Sequence, residues 1–461
     1  YCRNNYVVVR NVEDPADTYT FNDHACNVNV ACFSPSGNYM ASGDEKGLVK
    51  IWDLTQPDHK VKCEFQVLSG PVKDIAWDED SKRLGVCGGG FDLYARTIMW
   101  DSGSNVGTIV GHAKMVNSID IKKSRPYRVV TASEDTDSGF YAGPPFKLDH
   151  LNHEHEKYVN CVRYSPDGAY YVTADAGGKA FVYDGKDGSL KFELGSPAHS
   201  AGIYGVSWNK DSKRLITASA DKTVKIWDVE SQTATTTFTL GADLDWQQVG
   251  CLWLGDHILS ASLNGFITYL DEANPTTPKK TLKGTSKNVT ALCVSDSGSF
   301  YSGSAEGRVM AWETSGLCEI YNDHHTNQVQ DMAIANDSIV SVAMDDTLRI
   351  TPVTSTTMGT AVKLASQPST ITVVGDTICI GSLNHITFAD MSGSIKFEHA
   401  LAFEGTCAAL SPSAKQVAVG SSGKFYIYAV EGDALKETKV GTSCLLWLTL
   451  VLVLVVVLML L

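Results

Sequence analysis

An all-β chain built from short, repeated antiparallel sheets is the fold this sequence predicts, and three observations predict it. A strand with an aromatic or apolar end recurs eleven times, at Val8, Trp52, Trp100, Tyr141, Tyr183, Trp227, Tyr269, Trp312, Thr351, Phe388 and Tyr428, in steps of 37 to 48 residues. Within each period, runs of about five or six apolar or β-branched residues alternate with turn residues, the pattern of an antiparallel meander. Helical periodicity longer than a turn or two is absent until the C-terminus. A fixed period near forty residues marks a propeller, in which each small sheet buries its faces only by stacking on its neighbours.

Each unit has the same internal order. A polar, histidine-bearing loop comes first, as in Asp23-His24, Gly111-His112, Ala198-His199 and Asp323-His324. An apolar strand follows, for example Ile203–Trp208, then the turn Asn209-Lys210-Asp211-Ser212 and a second strand at 214–218. The turn Ser219-Ala220-Asp221-Lys222 leads into a third strand at 223–227. The clearest repeat ends, Lys50-Ile51-Trp52-Asp53 and Lys225-Ile226-Trp227-Asp228, resemble WD-repeat propellers, whose blades are four-stranded sheets around a channel. In the unit ending at Trp227, a structural tetrad of His199, Ser219, Asp221 and Trp227 is expected. His199 donates to Ser219, and Ser219 and Asp221 lie within reach of the indole N–H, because a buried indole N–H needs an acceptor. Each such histidine reads as structural, not as a ligand.

Composition limits what such a chain does. Of 461 residues 43% are apolar, enough for a packed core, and 38 basic against 52 acidic side chains leave a net charge of −14. That balance argues against nucleic acid, where affinity depends on neutralising phosphates. It suits a partner with a basic face, or simply a solvated acidic surface. The 12 cysteines show no CxxC spacing and read as small buried hydrophobes of a reducing compartment. No GxSxG elbow, HExxH helix or GxxxxGK[ST] loop is present. Gly420-Ser421-Ser422-Gly423-Lys424 lacks the spacing of a phosphate loop, and His153-Glu154-His155-Glu156 reads as solvated and not as a metal site. No catalytic residue, cofactor or metal is expected.

The segments between the repeat ends are more specific. Ser69-Gly70-Pro71-Val72-Lys73-Asp74-Ile75-Ala76-Trp77, Ser124-Arg125-Pro126-Tyr127-Arg128, Gly143-Pro144-Pro145-Phe146-Lys147, Tyr158-Val159-Asn160-Cys161-Val162-Arg163-Tyr164 and Ser366-Gln367-Pro368 follow one another in an order and spacing that resemble the actin-interacting protein 1 family, tandem-propeller proteins of the actin cytoskeleton. The resemblance runs from about Tyr6 to Lys439. It implies a cytoplasmic, non-enzymatic protein that binds actin filaments decorated with cofilin (actin-depolymerising factor), promotes their severing and disassembly, and restrains regrowth. A generic WD-repeat scaffold is the alternative. By the same resemblance the filament contact falls on the first propeller. Asp92 and Glu134 match acidic positions, Lys147 a basic one and Tyr158 an aromatic one, while Leu148 stands where an aromatic is usual. Read from the residues alone, Glu134 and Asp135 are also consistent with ordinary turn acids, and Tyr158 with packing inside its blade.

Seven blades of about 43 residues need about 300, so the chain reads as two tandem propellers. The first, seven-bladed, is placed at residues 1–275, its N-terminal blade incomplete because the chain opens at Tyr1 in mid-pattern. The linker-like stretch 271–278 marks the boundary, and residues 276–443 form an incomplete second propeller of about four blades. Residues 444–461 change abruptly to a leucine- and valine-rich run. The 17 residues from Leu445 would span about 26 Å as a helix, marginal for a ~30 Å hydrocarbon core. The run reads either as a membrane anchor, without flanking basic clusters, or as a stretch not selected for this fold. An arc of four blades leaves terminal sheet faces open. The isolated 284–443 segment is therefore expected to be poorly stable, and a cooperative thermal melt of a monomeric 284–443 fragment would contradict that.

Overall fold

A computed structural model describes all residues except 16, 57, 92, 285–286, 296–297, 314–317 and 443–461; the apolar C-terminal run lies outside the described residues. The described residues form eleven antiparallel sheets, numbered 1 to 11 in chain order, ten four-stranded and one three-stranded, each with its strands in chain order from one edge to the other. Ten of the eleven repeat ends lie in the third strand in this order, or in the middle strand of the three-stranded sheet, and Trp100 directly follows its strand Ala95–Met99. The chain divides into two compact units, Tyr1–Leu282 with seven sheets and Lys283–Leu461 with four described sheets. Residues 271–278 connect the third strand of sheet 7, Ile267–Leu270, to its fourth, Lys280–Leu282.

Each sheet forms locally for reasons legible in its turns. In sheet 2 the strands Tyr39–Asp44 and Leu48–Asp53 are joined by a turn in which Asp44 accepts the N–H of Lys46 (2.9 Å) and of Leu48 (3.0 Å). Gly47 in that turn has φ +89°, and a Cβ there would sit 2.1 Å from the Leu68 carbonyl oxygen, so only glycine fits. Sheet 6 makes the equivalent turn with Lys222 at φ +71°.

No sheet buries its own faces. The core of the protein is a series of apolar layers, each shared by two consecutive sheets. Ile75, Trp77 and Leu84 of sheet 3 pack on Ala41, Val49 and Ile51 of sheet 2. Val159, Tyr171 and Tyr183 of sheet 5 pack on Val130 and Phe140 of sheet 4. The Tyr171 and Tyr183 rings stack at 4.8 Å. Fully burying one such side chain is worth about 1.5–3 kcal/mol, so these layers dominate stability. In the second unit the same layers join sheets 8 to 9, 9 to 10 and 10 to 11. The first strand of sheet 8, Val289–Val294, leaves Leu292 70% exposed and Val294 51% exposed.

The first strands pack on one another from sheet to sheet and are also stitched by polar side chains. The second residue donates forward. Asn29, Asn117 and Asn160 give Nδ2–H to the carbonyls of Val72, Val159 and Ile203, each the first residue of the next sheet's first strand (2.9, 3.1 and 2.9 Å). The third residue accepts. Asp74 takes the N–H of Ile119 (3.2 Å), Ser118 that of Val162 (3.2 Å), and Asp331 that of Ile371 (2.9 Å). Arg163 ties three sheets at once, donating to Asp74 and to Ser118, both at 2.7 Å, while the Ser118 hydroxyl donates to Asp74 at 2.7 Å. The ring of the first unit closes between its ends: Tyr269 of sheet 7 donates its hydroxyl to the Val12 carbonyl (3.0 Å), and His257 pairs with Glu13 (3.0 Å).

Asp74→Ala removes the acceptor shared by Ser118, Ile119 and Arg163 and leaves a guanidinium without its closest carboxylate. The variant is expected to lose about 2–4 kcal/mol, read as an earlier urea transition of the first unit by tryptophan fluorescence.

Candidate functional site

The histidine loops form a recurrent polar cluster in both units. In sheet 6, His199 Nδ1 lies 2.8 Å from Asp221 Oδ2 and Nε2 lies 2.7 Å from Thr217 Oγ1, while Trp227 Nε1–H donates to Thr217 Oγ1 at 2.9 Å. A carboxylate only accepts, so Nδ1 carries the ring proton, Nε2 takes the threonine hydroxyl, and that hydroxyl takes the indole proton. The hydroxyl of this cluster is therefore Thr217 and not Ser219. The Ser219 hydroxyl donates to the Ala201 carbonyl (3.0 Å) and accepts the N–H of Asp221 (3.1 Å), bracing the turn. Thr217 pairs with Lys225 across the ladder, one step closer than Ser219 to the Trp227 ring.

The rule repeats. His24 joins Asp44 (3.2 Å) and Ser42 (2.7 Å), with Trp52 donating to Ser42 at 2.8 Å. His112 joins Asp135 and Thr131, His155 joins Asp175 and Thr173, and His325 joins Asp345 and Ser341. The hydroxyl stands ten positions before the aromatic repeat end, a spacing present in the sequence at Ser42/Trp52, Thr131/Tyr141, Thr173/Tyr183 and Thr217/Trp227. In sheet 9 the histidine is the buried His325, and its exposed neighbour His324 stays out of the cluster. His153 and His155 diverge, to Asp137 (2.6 Å) and Asp175 (2.9 Å) respectively.

Burial is the largest single influence on these acids and works against their charge, but the imidazole, the turn N–H groups and, at Asp221 and Asp345, a threonine hydroxyl together outweigh it: Asp135 is held down to about 2, and Asp221, Asp175 and Asp345 are lowered as well. Burial holds His24 and His325 below the ordinary histidine value in spite of their carboxylate partners.

The residues matched to a filament contact do not all meet. Asp92 lies outside the described residues. Glu134 sits in the turn between the second and third strands of sheet 4, its N–H bonded to the Met115 carbonyl at 3.0 Å. Tyr158 precedes the first strand of sheet 5, is 50% exposed, and carries Lys114 Nζ 5.4 Å from its ring centre. These two share one end of adjacent sheets with the exposed Val110 and with Phe91, which is 90% exposed in the corresponding turn of sheet 3. Lys147 begins the outer strand Lys147–Asn152 and pairs with Ala142, at the opposite end of sheet 4 from Glu134. Leu148 is half-buried beside the layer between sheets 3 and 4, so its side chain serves packing. Lys114, Val110 and Phe91 carried no sequence signal; exposure of an aromatic in a turn appears only with the fold.

Consecutive four-stranded antiparallel sheets carrying recurrent His–hydroxyl–Asp clusters define a WD-repeat propeller, and among the described residues the chain is nearly all-β, with seven sheets in one unit and four in the other. The model of the WD domain, G-beta repeat, matches residues 16–53, 147–184, 188–228 and 276–313. The chain is 42% identical over 451 residues to WD repeat-containing protein 1 of Gallus gallus, covering 95% of this chain and 74% of that one. It is 39% identical over 443 residues to actin-interacting protein 1 of Drosophila melanogaster, covering 95% and 73%. It belongs to the WD repeat-containing protein 1 family.

Thr217→Val leaves the Trp227 N–H and His199 without their shared partner and is expected to cost about 2 kcal/mol, against about 1 kcal/mol or less for Ser219→Ala, by urea denaturation. The lowered histidines contribute stability fully present above their ordinary value near 6.5 and lost as pH falls through their native values. The thermal midpoint is therefore expected to drop between pH 7 and pH 5, and less steeply in His24→Gln, as calorimetry would show.

Proposed function

We propose that this chain is a non-catalytic regulator of the actin cytoskeleton that binds filaments carrying cofilin and promotes their disassembly. The observation that carries the reading is membership of a family whose Drosophila relative is named for actin interaction, over 95% of the chain. The filament contact is assigned to the end of sheets 3 to 5, where Glu134 stands near an exposed aromatic–cation pair. Aromatic side chains anchor such contacts and charge sets the rate of encounter, so an acid at the same sheet end as Tyr158 and Phe91 suits a basic partner surface. A non-catalytic role fits the cysteine chemistry: burial pushes Cys161 and Cys318 up to about 11 and Cys379 up to about 12, keeping these thiols protonated and unreactive.

Sedimentation with actin, with and without cofilin, tests this. Wild-type chain is expected to pellet with cofilin-decorated filaments and weakly with bare ones. Glu134→Lys and Tyr158→Ala are each expected to lose about five- to thirtyfold in affinity, and Lys147→Ala much less. Equal pelleting with bare actin removes the cofilin requirement, and unchanged binding of both variants removes the assigned face.

A further inference from the structure

The polar network that ties sheets 3, 4 and 5 uses only one end of the Arg163 side chain. Arg163 is the fifth residue of the first strand of sheet 5, Val159–Tyr164. Its terminal nitrogen Nη1 donates to Asp74 Oδ2 and Ser118 Oγ, both at 2.7 Å, and to the Val162 carbonyl at 2.8 Å. Asp74 and Ser118 are third residues of the first strands Val72–Trp77 and Val116–Ile121, so the guanidinium stands at the level of third residues. Nε–H and the other terminal nitrogen, Nη2, make no hydrogen bond to the described residues. The side chain is 37% accessible and lines a cavity together with Asp74, Asp120, Lys123, Tyr204 and Trp208.

A guanidinium is a rigid planar fork, and its Nε–H and one Nη2–H point the same way at the spacing of two carboxylate oxygens. Three acceptors on Nη1 fix the plane, so the free edge is held in place before any ligand arrives. The acids of the cavity do not turn to that edge. Asp74 accepts from the N–H of Ile75 (3.0 Å) and Ile119 (3.2 Å) and from the Ser118 hydroxyl, and Asp120 from the N–H of Ile121 and Tyr164, both at 2.8 Å. Lys123 is spent on Asp120 (3.3 Å) and on the Trp77 carbonyl (3.0 Å). Two cations and two carboxylates thus balance, and the place left is for one negative charge. Tyr204, the second residue of Ile203–Trp208 in sheet 6, is 49% exposed. It stands one residue, about 3.3 Å along the strand, from the level of the guanidinium and offers an aromatic wall.

We propose that the free edge of Arg163 is a binding site for a monocarboxylate, held side-on by Nε–H and Nη2–H with its apolar body against Tyr204. Every residue of the site belongs to sheets 3 to 6. The ligand class is a small acid with one carboxylate and an aromatic or apolar body, supplied either as a free acid or as the terminal carboxylate of a peptide. A phosphate group suits the site less, because its second negative charge would face Asp74 and Asp120 with no further cation to meet it.

The test titrates the full chain with phenylacetate, with its uncharged amide phenylacetamide, with phenylphosphonate and with the dipeptide N-acetylglycylphenylalanine, by calorimetry and by NMR of arginine Nε–H groups. Phenylacetate or the dipeptide is expected to saturate at about 1 mM or below, and the tighter of the two tells which source of carboxylate the site prefers. Phenylacetamide is expected to bind about tenfold more weakly, and phenylphosphonate about threefold more weakly. One arginine Nε–H resonance, absent from Arg163→Lys, is expected to move with the titration. Arg163→Lys keeps the charge but not the fork and is expected to lose about tenfold in affinity. Arg163 also braces three sheets, so Tyr204→Ala serves as the second variant: its side chain is exposed, circular dichroism should be unchanged, and affinity for phenylacetate should fall about threefold. No saturable binding of either acid, equal binding of the amide, or tighter binding of the phosphonate overturns the proposal. So does full affinity in folded Arg163→Lys, or in Tyr204→Ala with no arginine resonance moving.

Discussion

A four-stranded sheet of five- or six-residue strands has two apolar faces and can cover neither by itself. Every stable feature of this molecule follows from that constraint. Each sheet is completed by the next, so the core is a chain of layers rather than a single interior. Apolar side chains outside these shared layers stand exposed, as Leu292 and Val294 do on the first strand of sheet 8.

Polar groups carry the second level of organisation. Because first strands of consecutive sheets pack on one another, their free backbone groups are taken up by asparagine, serine and aspartate side chains one sheet away, and Arg163 gathers three sheets into one network. Farther out, the His–hydroxyl–Trp–Asp cluster fixes the turn between second and third strands against the loop entering the sheet. The two devices act at different radii of the same blade, one between sheets and one within a sheet. An unsatisfied member in either is costly because it is buried.

The surface that this frame displays is a set of turns held in fixed positions. Glu134 and Tyr158 come from different sheets, and nothing but the sheet-to-sheet spacing brings them to a common end. Lys147 is thirteen positions from Glu134 in sequence yet at the far end of the same sheet, since an antiparallel strand carries the chain away from the turn it left. Leu148 follows the same logic: next to an exposed lysine in sequence, it faces the neighbouring sheet and is absorbed by packing.

The repeat period and the alternation of short strands with turns were legible in the sequence, because period-two alternation and turn residues are local signals; the second and third strands of sheet 6 each run one residue further than the alternation indicates, and the clustered histidine of sheet 9 is His325, not His324. The strand Ile203–Trp208 is one such element, read at the bounds it has in the fold. The hydroxyl partner was not legible from neighbouring residues: Ser219 and Thr217 lie on the same face of one strand, and only the register of the ladder to Trp227 distinguishes them. The inter-sheet stitches were likewise decided by tertiary structure. They join groups about 40 residues apart through the radial packing of separate sheets, and no local pattern encodes which backbone group another sheet will present.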